Sequence, residues 1–91
     1  MDKIIVDEQV FIKTLVHKFS LSLDVDLEIY IGSDVYNWEQ SDAGKWILSN
    51  SVKQPILITY DDIETYSTKC LIYAYLKDSD CTFFNLKWGK L

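Results

Sequence analysis

The chain has 91 residues, of which 48% are hydrophobic and 25% charged, and its formal net charge is −5. This composition excludes a disordered segment, and no run approaches the roughly 20 apolar residues that a membrane-spanning helix needs. One compact domain over residues 1–91 is expected, with three Trp, six Tyr and four Phe to bury apolar area without help from metal or disulfide.

The first eight residues hold a three-residue apolar run, Ile4-Ile5-Val6, before Asp7 and Glu8. That is too short for a signal-peptide core, so the chain is read as cytoplasmic, and as host-cell cytoplasmic if phage-encoded. A helix is expected over 8–19. Asp7 is a suitable N-cap, Val6 and Phe11 are spaced as a hydrophobic staple, and Phe11, Ile12, Leu15, Val16 and Phe19 recur at helical spacing. Lys13 and His17 fall on the opposite, solvated side of that helix.

From Leu21 to Ile31 the alternation is unbroken. Leu21, Leu23, Val25, Leu27, Ile29 and Ile31 would point one way; Ser22, Asp24, Asp26, Glu28 and Tyr30 the other. This reads as a long strand with one buried and one solvated face. Runs 35–39 and 45–49 flank Ser41-Asp42-Ala43-Gly44, which reads as a hairpin turn. Residues 50–54 read as a loop and Pro55 as the opening of a strand over 56–60.

Residues 61–69 carry conflicting signals. Asp61 and Glu64 are spaced as a capping box, whereas Thr65, Thr68, Ile72, Tyr73 and Tyr75 favour strand, so a loop is expected, followed by strands over 70–77 and 81–88. A turn at Asp78-Ser79-Asp80 would put Cys70, Ile72, Ala74 and Leu76 on one face with Thr82, Phe84, Leu86 and Trp88. The expected fold class is α+β, with one N-terminal helix packed on an antiparallel β-meander of five or six strands. In that hairpin Cys70 and Cys81 would lie roughly 20 Å apart, too far for a disulfide. Two reduced thiols are expected.

Charge is unevenly spread. Residues 1–23 sum to zero, residues 24–64 to −7 and residues 65–91 to +2. The central acids are Asp24, Asp26, Glu28, Asp34, Glu39, Asp42, Asp61, Asp62 and Glu64. All nine cations are Lys, without the guanidinium fork that reads phosphate or guanine bidentately. The central segment is thus an acidic block, and direct contact with nucleic acid or an anionic membrane is disfavoured, because such binding needs clustered cations.

On a strand, Asp24, Asp26 and Glu28 would stand in a row about 6.8 Å apart. Such a row is most often a solvated face. It is too widely spaced to share one divalent ion, so no metal and no cofactor are expected. Asp78-Ser79-Asp80 fails the calcium-loop pattern at Thr82 and Phe83, and Ala43-Gly44-Lys45 fails the phosphate-loop pattern at Glu39. One histidine and two separated cysteines fit no zinc spacing, and no nucleophile stands beside a base. Trp46, Phe84 and Trp88 read as core. Tyr30, Tyr36, Trp38, Tyr60, Tyr66, Tyr73 and Tyr75 outnumber what a thin core buries, so some belong on the surface among the acids.

The resulting expectation is a non-enzymatic binder. A small acidic protein would dock on the basic surface of a larger protein, a nucleic-acid-binding enzyme or a toxin, and block it. Its contact residues would be the nine acids with Tyr30 and Tyr36. Small acidic inhibitors of host defence nucleases carried by phages, anti-CRISPR or anti-restriction proteins that mimic DNA, have this size and charge. An immunity protein or antitoxin neutralising a basic toxin is the alternative. A structural or assembly subunit, homodimeric through a strand edge, is the third reading.

Overall fold

The computed structural model describes residues 3–89. In chain order it has strands β1 (Lys3–Val6) and β2 (Gln9–Ser22), helices α1 (Leu27–Gln40) and α2 (Asp42–Asn50), strands β3 (Ile56–Asp62) and β4 (Ser67–Lys77), and helix α3 (Asp78–Trp88). The four strands form one antiparallel sheet in the order β1-β2-β4-β3. The expected fold class is therefore overturned: three helices, mostly following strands, replace the single N-terminal helix, and four strands replace the meander of five or six.

The segment read as a helix over 8–19 is the long strand β2. Asp7 and Glu8, with φ of 50° and 67°, form a two-residue hairpin turn between Val6 and Gln9 rather than a helix cap. The apparent helical stripe has a physical origin in a β-bulge. Leu15 pairs with Tyr73 and His17 with Ile72, so Val16 is an extra residue in β2. Even-numbered residues face the helices before the bulge and odd-numbered ones after it. The phase jump spaces Phe11, Ile12, Leu15, Val16 and Phe19 like a helix.

The strand expected over 21–31 is instead the end of β2, a turn, and the first turns of α1. Asp26 caps α1, its carboxylate accepting from the Ile29 amide at 3.5 Å. Leu27, Ile31 and Trp38 then line the buried side, while Ile29 is 66% exposed. Leu27 and Ile31 satisfy both the strand alternation and the helical i, i+4 spacing, which is why the pattern misleads.

Residues 41–44 are no hairpin turn. Ser41 caps α2: its hydroxyl accepts from the Gly44 amide at 3.1 Å and donates to the Trp38 carbonyl at 2.5 Å. Gly44 lets the two helices meet this closely, since a Cβ there would lie 1.8 Å from the Trp38 carbonyl oxygen.

The expected strand at 56–60 is present, extended to Asp62, and the strand at 70–77 is β4, which starts at Ser67. Residues 63–66 form the β3–β4 turn, with Tyr66 at φ 51° and neither the capping-box helix nor a loop as long as 61–69. Asp78-Ser79-Asp80 is the first turn of α3 rather than a hairpin turn, and residues 81–88 are helix rather than strand. Asp78 and Asp80 at the start and Lys87 in the last turn suit the helix dipole.

All three helices pack on one face of the sheet. Val16, Ile72, Ala74 and Leu76 from the strands meet Trp38, Ile47 and Phe84 from the three helices in one cluster. Trp46 and Trp88 pack against it, their rings 5.7 Å apart. Of the seven aromatics of which some are expected on the surface, Trp38 and Tyr75 are buried at 7% and 8%, and Tyr30, Tyr36, Tyr60 and Tyr66 are exposed. Leu86, expected to face the core beside Phe84, is 84% exposed. Among the described residues, no helix is long and apolar enough to cross a membrane.

Candidate functional site

Two turns meet at one end of the molecule. Ser22 at the end of β2 pairs with Ser67 at the start of β4, and Ser67 also pairs with Asp62 at the end of β3. The Leu23 amide donates to the Tyr66 carbonyl at 3.3 Å, which ties the β2–α1 turn to the β3–β4 turn. The Tyr66 hydroxyl then donates to Asp24 at 3.1 Å. Asp24, Asp61, Asp62 and Glu64 thereby converge from two distant parts of the sequence, and Asp26 and Glu28 follow where α1 begins.

Several of these carboxylates also hold local structure. Asp61 accepts from the Thr68 hydroxyl at 2.9 Å, and Asp62 accepts from the Glu64 amide at 3.1 Å inside the turn. Asp26 is a helix cap. Asp24, Asp26 and Glu28 therefore do not stand in a row along a strand; they lie on a turn, a cap and a helix. At the tip of the turn Ile63 is 83% exposed and Tyr66 56%. An apolar knob surrounded by carboxylates results.

The remaining acids of the central block lie elsewhere. The 14 residues of α1 carry the chain about 21 Å away before Glu39 and Asp42 are reached. Glu28 and Glu39 lie along one flank of α1, whereas its outer ridge of Ile29, Ser33 and Tyr36 is uncharged. Tyr30 and Tyr36 are exposed. Among the described residues, no three His, Cys, Asp or Glu side chains are grouped to hold a metal ion.

Asp34 turns inward. Its carboxylate lies 3.1 Å from Nε2 of His17, whose ring stacks on Trp38 at 5.6 Å and tilts against Phe19 at 5.5 Å. His17 is half-buried on the helix side of the sheet rather than on a solvated helix face, because the Val16 bulge re-aims it. The pair forms part of the rim of a cleft of about 430 Å³ walled by Val16, Trp38, Phe84 and Trp88. Ser41 also lines it, but its hydroxyl is engaged in capping α2.

Cys70 and Cys81 are not bridged. Burial, and secondarily the Asp34 charge, pushes the Cys70 thiol above its ordinary pKa. The Cys81 sulfur accepts from the Thr14 hydroxyl at 3.4 Å. The inward pairing of His17 with Asp34 went unread in the sequence; the one available signal was the double apolar phase of residues 11–19.

No family model, no curated protein and no solved structure matches this chain.

Proposed function

We propose that this protein acts by stoichiometric binding, presenting its acidic end to a basic surface of a larger protein and blocking it. The observation that carries the reading is the convergence of Asp24, Asp61, Asp62 and Glu64 around the exposed side chains of Ile63 and Tyr66. Carboxylates there would stand where a nucleic acid places phosphates, and the Ile and Tyr would supply apolar anchor area. The partner class is a nucleic-acid-binding enzyme, such as a defence nuclease blocked by a phage-type anti-CRISPR or anti-restriction inhibitor. A basic toxin neutralised by its immunity protein is the alternative within the same chemistry.

Partner capture from the native host tests this, using the parent and an Asp24→Asn, Asp61→Asn, Asp62→Asn, Glu64→Gln variant side by side. The amides keep shape and acceptor oxygens, so the fold should survive while the partner is lost. Association of the parent should also slow as salt rises, because steering acts over about 8–10 Å. Equal capture by both proteins, or an on-rate indifferent to salt, would refute the reading.

A second reading rests on the β3 edge. Among the described residues β3 pairs only with β4, and Leu57, Ile58 and Tyr60 are 41%, 38% and 53% exposed on it. An edge with this much apolar surface is suited to pairing with another copy, as an assembly subunit would. Sedimentation that shows a monomer at high protein concentration would eliminate it.

A further inference from the structure

Helices cover one face of the sheet, and the residues of the other face follow from the register. β2 contributes Phe11, Lys13 and Leu15 before the bulge and Lys18 and Ser20 after it; β4 contributes Lys69, Leu71, Tyr73, Tyr75 and Lys77. β3 adds Ile56, Ile58 and Tyr60, and Lys53 reaches in from the preceding loop, its Nζ 4.7 Å from the Tyr75 ring centroid. Lys13 lies over Tyr73 at the same distance. Five of the nine lysines thus meet on this face. Among its described strand residues, Asp62 is the only acid.

These lysines are scattered through the sequence, at 13, 18, 53, 69 and 77, so no run of cations marks them. Strand pairing gathers them into a cationic platform on a molecule whose net charge is −5. Between Lys18 and Lys69 the face dips into an open depression of about 540 Å³, lined by Leu15, Ser20, Tyr60 and Leu71 as well. Tyr60 pairs with Lys69 in the β3–β4 register and therefore stands on the same face beside it.

We propose that this open face binds single-stranded nucleic acid. Lys18 and Lys69 would pair with phosphates while Tyr60, 53% exposed, offers a flat face to an unpaired base, the combination that single-strand binders use. A duplex keeps its bases stacked and paired and cannot use the tyrosine. The acidic end adjoins this face at Asp62, but Lys18, Lys69 and Tyr60 lie outside the carboxylate cluster, so different residues test the two readings.

Fluorescence anisotropy with a labelled oligothymidylate of about 12 nucleotides tests the proposal. Binding should weaken steeply between about 50 and 200 mM salt. A Lys18→Gln, Lys69→Gln variant should bind more weakly and flatten the slope of log K against log salt by about 1.4, at about 0.7 per phosphate contact. Tyr60→Leu, which keeps an apolar side chain on the strand, should weaken binding about fivefold or more. Lys45→Gln on α2 should change neither affinity nor slope. Circular dichroism of each variant confirms that the sheet is intact.

The proposal fails if the oligonucleotide does not bind at the lower salt. It also fails if Lys45→Gln is as harmful as the sheet variant, or if Tyr60→Leu leaves affinity unchanged, since bases would then not be read by this face. Salt-sensitive self-association abolished by the lysine variant, without oligonucleotide binding, would assign the face to a second copy of the chain and overturn it.

Discussion

His17 on β2 and Asp34 on α1 meet at 3.1 Å because a single inserted residue, Val16, rotates the strand so that the imidazole faces the helices. Without the bulge, position 17 would point to the open face, away from α1. The pair, with the His17 ring against Trp38 and Phe19, fixes the helix on the strand.

A double-mutant cycle measures this fastening. His17→Ala should cost about 1 kcal/mol, mostly from lost ring packing. Asp34→Ala should cost less, because the carboxylate is partly exposed and its attraction is screened by solvent. The coupling between them should be about 0.5–1 kcal/mol in denaturant unfolding, and additive losses would show that the contact contributes nothing.

At Gly44 two effects of opposite sign compete. Alanine is the better helix former by about 1 kcal/mol. The added Cβ, however, would lie 1.8 Å from the Trp38 carbonyl, and that carbonyl is already held by the Ser41 hydroxyl. Overpacking of this kind costs about 1–3 kcal/mol, so Gly44→Ala should lower the melting temperature. A rise would mean that the α1–α2 joint yields freely.

The two cysteines should differ in native reactivity. Cys70 is fully buried and its thiol is held above its ordinary pKa near 9, so it stays protonated through neutral pH. Cys81 is partly exposed on α3. A thiol reagent at neutral pH should label Cys81 first and Cys70 only on unfolding. The raised pKa also has a stability consequence. As pH climbs past the unfolded thiol's pKa, the unfolded state loses its proton before the native state does, so stability falls with rising pH. Cys70→Ala should lessen that alkaline loss; an unchanged pH profile would remove Cys70 as its source.

Strands β3 and β4 were legible because Ile56–Tyr60 and Leu71–Leu76 are short, nearly continuous apolar runs rich in β-branched and aromatic residues, as suits a β4 that is paired on both sides. The rest was obscured by coincidences of period. The Val16 bulge makes β2 resemble a helix, and Leu27 with Ile31 makes the start of α1 resemble a strand. The acids of the central block were legible as a charge count, but not their positions. Asp26 caps a helix, Asp34 turns inward, and Glu39 and Asp42 are carried a helix length from Asp24. Convergence of Asp24 with Asp61, Asp62 and Glu64 depends on two turns touching, which no local pattern encodes. The lysine face was hidden for the same reason, since only strand register brings Lys18 and Lys69 together.

Phe84 and Leu86 distinguish the two ways of reading the last element. On a strand they would share a face, and truncating either would cost alike. On α3 they are two residues apart and therefore about 200° apart around the helix axis. Phe84 is 1% exposed, with its ring 5.6 Å from Trp88 and 6.3 Å from Trp46; Leu86 is 84% exposed. Phe84→Ala should cost about 3–5 kcal/mol, a large part of the stability that a domain of this size has, and so could unfold it outright. Phe84→Leu, which retains part of the volume, should cost about 1–2 kcal/mol and keep the transition measurable. Leu86→Ala should stay within about 0.5 kcal/mol of the parent. Chemical denaturation of the three variants gives the comparison. Similar losses at both positions would return residues 81–88 to a strand and undo the helical layer that places α3 over Val16.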